Sequence, residues 1–140
     1  MAQDKLENLV KANQLKKEAP DQVEFDGLLR AAQRKQVDAK NTSLSLESRF
    51  ELVYSASHSL SLAALRWHGY RSENRYMVFQ CLAHTVAFDK VHTRILSDAH
   101  NRRNLAAYEG ESEVTNEQVE AMIRAVDALI DLVKALGPIK

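Results

Sequence analysis

The sequence predicts an all-α domain, folded as an antiparallel up-and-down bundle of about five to six helices. Three observations carry that expectation. Apolar residues recur at three-to-four spacing over long stretches, as one buried helix face requires. Helix breakers are scarce, with four Gly and two Pro among 140 residues, and Pro20 and Pro138 both stand near the ends of apolar periodic segments. No useful length of chain alternates apolar and polar residues as a half-buried strand would. A hydrophobic content of 45% suffices for one core, so residues 1–140 are read as a single domain, with an N-terminal helix in 1–19 and the bundle core in 20–136.

The first helix is expected over residues 3–18, with a thin apolar strip of Leu6, Leu9, Val10 and Leu15, and to stop before Pro20, because a residue preceding proline is pushed out of the α region. Asp21 opens the second helix, with Glu24 as a capping-box partner, and Val23, Phe25, Leu28, Leu29, Ala32 and Val37 carry it to about Ala39. Lys40–Ser45 is a polar connector. A longer helix spans Leu46–Trp67, with Phe50, Val53, Leu60 and Ala64 on its apolar face. Its middle is crowded with small residues (Ser55, Ala56, Ser57, Ser59, Ser61, Ala63, Ala64) that allow a neighbouring helix close approach. Gly69 is its natural stop.

Arg71–Arg75 reads as a charged turn, followed by a compact helix from Tyr76 to about Phe88. After a kink or short break near Phe88, helix resumes from Asp89 to about Tyr108. Gly110–Glu113 is an acidic loop. Thr115 and Gln118 form a second capping box, and the last helix carries Val119, Met122, Val126, Leu129, Val133 and Leu136 in heptad-like order, broadened by Ile123 and Ile130. Long amphipathic helices with short connectors pack as antiparallel neighbours.

Nineteen basic and nineteen acidic side chains cancel, which argues against a dedicated non-specific nucleic-acid binder but not against a local basic cluster. The single cysteine, Cys81, rules out an intramolecular disulfide and a multi-Cys zinc site and is expected as a buried thiol. The charged N-terminus has no apolar signal-peptide core, and no run approaches the ~18 apolar residues of a membrane span. A cytoplasmic protein without membrane contact is therefore expected.

Metal and hydrolase chemistry find little purchase. His84, His92 and His100 are spaced by eight, which turns each roughly 80° away from the last on a helix. There is no Glu-x-x-His pair and no His-Glu-x-x-His. No serine sits in a Gly-x-Ser-x-Gly elbow, and no phosphate-binding glycine loop occurs. Neither a metal nor a cofactor is expected.

The informative segment is His100-Asn-Arg-Arg-Asn-Leu-Ala-Ala-Tyr-Glu-Gly110. Taking His92 as zero, Leu96 falls at about 40°, Ala99 at about −20° and Arg103 at about 20° around the helix, so Arg103 lies on the apolar stripe. A cation there must meet a carboxylate, bind an anion or sit at a subunit contact. Arg102, His100 and Asn104 flank it. Without a function, the cluster would be a helix-terminal cap whose arginines pair with nearby acids and complement the helix dipole.

Three stretches, LESRFELVYSASHSLSLAALRWHGYR, RYMVFQCLAHTVAF and HNRRNLAAYEG, together with the bundle pattern, resemble a bacterial HEPN-domain protein over most of residues 20–136. The third is diagnostic, since HEPN ribonucleases carry an Arg-(polar)-x-x-x-His signature late in the domain. Arg103-Asn104 matches its first half, and Tyr108 stands where the histidine would be. With a pKa of ~10, a tyrosine is a poor base at neutral pH. Arg94 and His100 fit a looser form of the motif, though Ile95 follows the arginine.

The resemblance implies a homodimeric binding or accessory protein presenting Arg102, Arg103, Asn104 and Tyr108 to RNA, a nucleotide or a protein partner such as an antitoxin or a nucleotidyltransferase. Two alternatives stay open. One is a metal-independent, toxin-type ribonuclease with Arg103, His100 and Tyr108 as catalytic candidates. The other is an interaction module with no ligand.

Overall fold

The computed structural model describes residues 2–109 and 114–139, with side chains at all of these except 2 and 106–109. The elements run α1 (Ala2–Lys11), β1 (Lys16–Lys17), α2 (Gln22–Ala39), α3 (Leu46–Trp67), β2 (Tyr70–Arg71), α4 (Arg75–Gln80), α5 (Leu82–Thr85), α6 (Lys90–Glu109) and α7 (Asn116–Lys134). The protein is an all-α helical bundle with one small antiparallel ribbon, in which Lys16 and Lys17 pair with Arg71 and Tyr70.

Each long helix begins on a side-chain cap. The Asp21 carboxylate accepts from the amides of Val23 and Glu24, Ser45 accepts from Ser48, and Thr115 with Gln118 completes the anticipated capping box. Gly69, at φ +90, follows α3 and takes the left-handed turn that ends it.

Cross-links between helices set their directions. Arg49 reaches the Ala39 carbonyl, Lys35 the Ser55 hydroxyl and Arg66 the Glu24 carboxylate, so α2 and α3 are antiparallel. Tyr54 meets His100 and Glu51 meets Arg103, so α6 runs against α3. The Gln36 amide reaches Ile123 and Asp127, while Gln22 accepts from the Ile139 amide, so α7 runs against α2.

The main core lies among these four helices, around Phe25, Ala32, Phe50, Val53, Leu60, Leu82, Leu96 and the Val119–Val133 stripe of α7. Of the small residues of α3, Ala56, Ser57, Ser61, Ala63 and Ala64 are buried and Ser55 and Ser59 half-buried; Ser57 donates to the Tyr54 carbonyl and Ser61 to that of Ser57. A second cluster joins Leu6 and Leu15 to Leu65, Tyr70, Val78 and Cys81. Burial pushes the Cys81 thiol up to about 11, as befits an inert core thiol.

The structure corrects several local expectations. The first helix ends at Lys11 rather than at Pro20. Asn13 adopts φ +62, and the chain reverses there to bury Leu15 and pair Lys16 with Arg71. The spacing of five between Val10 and Leu15 departs from the three-to-four spacing of a continuous helix face. Glu24 does not close a capping box but turns to Arg66 and Arg71. Val23 and Val37 are exposed, and Gln36 takes the inward place on α2. The compact helix after the charged turn is divided at Cys81 into α4 and α5. The acidic loop Gly110–Glu113 lies outside the described residues. No helix among the described residues is long and apolar enough to cross a membrane.

Arg66 is the chief polar tie. Its side chain is 2% exposed and donates to Glu24 Oε1 at 2.6 Å, to the Ala19 carbonyl at 2.6 Å and to the Glu18 carbonyl at 2.8 Å. Burial alone would raise the Glu24 carboxyl, but hydrogen bonds from Arg66 and Arg71 outweigh it and hold it below its usual range. Removing one partner of such a pair leaves a buried charge unanswered. Arg66→Ala is expected to lose about 3–5 kcal/mol of stability, read as a lower urea midpoint, and Arg66→Lys, with no planar fork, recovers little of it.

Between α5 and α6, Ala87 sits at φ +51, a conformation unfavourable by about 1–2 kcal/mol for a residue with a Cβ. Ala87→Gly is expected to raise the thermal midpoint, by less than that strain because glycine adds chain entropy to the unfolded state. A lowered midpoint counts against strain at this turn.

Candidate functional site

Four residues on one face of α3 (Glu51, Tyr54, Ser55 and His58) form the floor of a niche. Their three-to-four spacing stacks them along the helix. Lys35 of α2 approaches from one side and donates to Ser55 Oγ at 2.7 Å. Arg75 of α4 and Arg103 of α6 close over Tyr54, their guanidinium carbons 5.8 and 5.0 Å from the ring centroid, within range of a cation–π attraction. The Tyr54 ring is buried, stacked near Phe50 and set edge-on to Phe79.

His100 bridges α6 to this floor. Its Nδ1 lies 2.9 Å from the Tyr54 hydroxyl and its Nε2 lies 3.2 Å from Asn104 Nδ2. Because the Asn104 amide nitrogen donates, Nε2 accepts, and a neutral ring then carries its proton on Nδ1 and donates it to the tyrosine oxygen. Burial first, then the charges of Arg75 and Arg103, lower the His100 pKa and favour that neutral ring. Beside it, the ring of Tyr76 is 46% exposed, with its centroid 6.3 Å from that of His100.

Arg103 follows the apolar stripe of Leu96 and Ala99, as its position on the helix predicted, but emerges where the core gives out. Its side chain is 38% exposed and Nε lies 3.6 Å from Glu51 Oε2, too far for a hydrogen bond. Nε itself is buried and makes no hydrogen bond. Among the described residues no carboxylate forms an ion pair with Arg75 or Lys35. The niche thus gathers three permanent cations around one loosely held carboxylate.

The expected site residues divide. Arg103, Asn104 and His100 are together in the niche. Arg102 instead lines a groove of about 370 Å³ between α6 and α7, with Phe50, Ile95, Leu105 and Met122. Arg94 is exposed and lines a separate groove between α4 and α6, so it does not join His100. The side chain of Tyr108 lies outside the described residues. Sequence reasoning missed Tyr54, Lys35, Arg75 and His58. They come from three helices, α2, α3 and α4, and only their meeting with α6 gives them significance, which no spacing along the chain records.

Comparison with protein-family models, with curated proteins and with solved structures finds no match.

His58 is the niche's most perturbed group. Desolvation first, then the charges of Arg75, His100, Arg103 and Lys35, push its pKa from 6.5 down to about 4. The unfolded chain therefore takes up a proton near 6.5 while the folded chain resists until about 4. Between those values the unfolded state binds more protons, so this contribution to stability is whole above the upper value and declines as pH falls towards the lower one. In urea unfolding at pH 7.5 and 5, His58→Gln is expected to lose less stability on acidification than the parent chain. An equal loss in both would remove His58 from the account.

Proposed function

We propose that the chain is a HEPN-like binding or accessory protein whose niche on α3 receives the phosphate of an RNA or nucleotide. The observation that carries this reading is the state of Arg103. Its guanidinium is held over the Tyr54 ring, its Nε lacks a hydrogen bond, and its nearest carboxylate stands at 3.6 Å. A guanidinium so fixed offers donors in a set plane, which suits bidentate contact with phosphate. Arg75 and Lys35 add charge from two other helices, so ligand affinity is concentrated at one place on a chain of zero net charge. The half-exposed Tyr76 ring supplies a stacking surface for a base, and Asn104 an amide at the rim. The homodimer and the antitoxin or nucleotidyltransferase partner implied by the HEPN resemblance belong to the same proposal.

The ribonuclease alternative receives less support. A general base at His100 needs a free ring nitrogen, and here one nitrogen meets Tyr54 and the other Asn104.

Fluorescence anisotropy with a short single-stranded RNA tests the proposal. Arg103→Ala and Arg75→Ala are each expected to weaken binding about tenfold and to reduce the dependence of log affinity on log salt by about one. Arg102→Ala, altered in a different groove, has the smaller effect. Absence of binding in the parent chain would leave the ligand-free interaction module. Cleavage lost in both Arg103→Ala and His100→Ala would restore the ribonuclease.

A further inference from the structure

His58 has no part in the contacts that fix Tyr54 and His100. It sits one helical turn beyond Tyr54, its ring edge-on to Phe79 with centroids 6.2 Å apart. The charged and titratable groups around it come from every helix that walls the niche: Lys35 from α2, Glu51 and Tyr54 from α3, Arg75 from α4, and His100 and Arg103 from α6. All but Glu51 and Tyr54 carry or can acquire positive charge, and the Glu51 side chain is 59% exposed with its Oε2 3.6 Å from Arg103 Nε. An imidazolium at position 58 is therefore repelled while the niche is empty. A dianion seated among Lys35, Arg75 and Arg103 would reverse the sign of that field.

We infer that anion binding in this niche is coupled to proton uptake by His58, whose imidazole is neutral in the empty niche and takes a proton from solvent when a dianion enters. The inference rests on the phosphate-binding reading above and adds a regulation to it, since ligand would be held more tightly as pH falls. Linkage requires the converse with the same factor, so bound anion raises the proton affinity of His58.

The size of the effect follows from the two protonation states. His58 titrates at about 4 in the empty niche. If the dianion offsets both the desolvation and the repulsion that lower this value and restores the ordinary one of about 6.5, affinity at pH 5.5 exceeds that at pH 7.5 by about tenfold. Below the bound-state value, affinity climbs until the empty niche itself begins to protonate.

Sulfate is the suitable probe, because it stays a dianion over this range where phosphate does not. Titration calorimetry on the full chain at pH 5.5 and 7.5, repeated in buffers of different ionisation enthalpy, reads both the affinity ratio and the protons taken up. The expected result is about tenfold tighter binding at the lower pH, proton uptake on binding, and loss of both in His58→Gln. Imidazole NMR of the unaltered chain gives a second readout that does not depend on a variant folding. The His58 resonance should titrate at higher pH with sulfate than without, while His100, with both ring nitrogens engaged, moves less.

Sulfate bound equally at both pH values would overturn the coupling and leave the phosphate-binding reading intact. A pH dependence retained in His58→Gln would overturn it too, by assigning the proton to another group. Absence of sulfate binding at either pH would remove the coupling and the binding reading together.

Discussion

A single guanidinium, that of Arg66, decides how the chain segments at one end of the bundle meet. It stands at the C-terminal end of α3 and draws in the backbone before α2 through the Glu18 and Ala19 carbonyls, the first turn of α2 through Glu24, and the start of β2 through the Tyr70 carbonyl. Arg71 shares the same two carboxylates, Glu18 and Glu24. An isolated charge this deeply buried would be strongly destabilising, so the fold tolerates it only because every part of the fork finds an acceptor. That requirement places the segment between α1 and α2 against Gly69, and with it the β1–β2 ribbon and the Leu6–Leu15 cluster. It also diverts Glu24 from the capping role its position after Asp21 suggested.

With one end tied, α3 serves as the spine. Small residues through its middle let α2 and α7 close upon it, and Arg49 near its start repeats on a lesser scale what Arg66 does near its end, reaching the Ala39 carbonyl and Glu120. Between these two anchors lies the polar face of Glu51, Tyr54, Ser55 and His58. α4 and α6 cross it, while α2 supplies Lys35 from beside it. The niche is thus a consequence of packing order. α6 must run against α3 to bring His100 and Arg103 to Tyr54, and the short, broken path through α4 and α5 must deliver Arg75 to the same ring.

Periodicity made the long helices legible. α3 spans the residues its apolar spacing and its Gly69 stop indicated, and α7 carries both its capping box and its buried stripe as read. These signals are local, each lying within a few residues of the feature it announces. The N-terminal helix is the exception, since Pro20 marks a boundary that the chain reaches only after α1 has already ended at Lys11, and a left-handed asparagine at position 13 leaves little trace in composition. The candidate site was legible by half. The helical position of Arg103 relative to Leu96 and Ala99 follows from a rotation of about 100° per residue, and the same rotation turns its neighbour Arg102 away into the groove between α6 and α7. The partners from α2, α3 and α4 could not be read at all, since they are contacts between residues tens of positions apart.

The contrast between the arginines of this chain bears most directly on what the niche is for. Arg66 and Arg49 are buried; Arg66 meets the Glu18, Ala19 and Tyr70 carbonyls and the Glu18 and Glu24 carboxylates, and Arg49 meets the Ala39 carbonyl and the Glu120 carboxylate. At Arg66 every guanidinium nitrogen finds an oxygen acceptor. Arg103 is treated differently. It receives an aromatic face, which orients a guanidinium while leaving its in-plane donors available, and a carboxylate at a distance that screens charge without occupying those donors. Arg75 is held over the same ring, and among the described residues no acid is ion-paired with it. Fixing two cations in place without neutralising them is unfavourable to stability through their mutual repulsion and their effect on His58. Arg66 carries no such penalty, since each of its guanidinium nitrogens meets an oxygen, so the same side chain is held by neutralisation at the end of α3 and by an aromatic face nearer its middle.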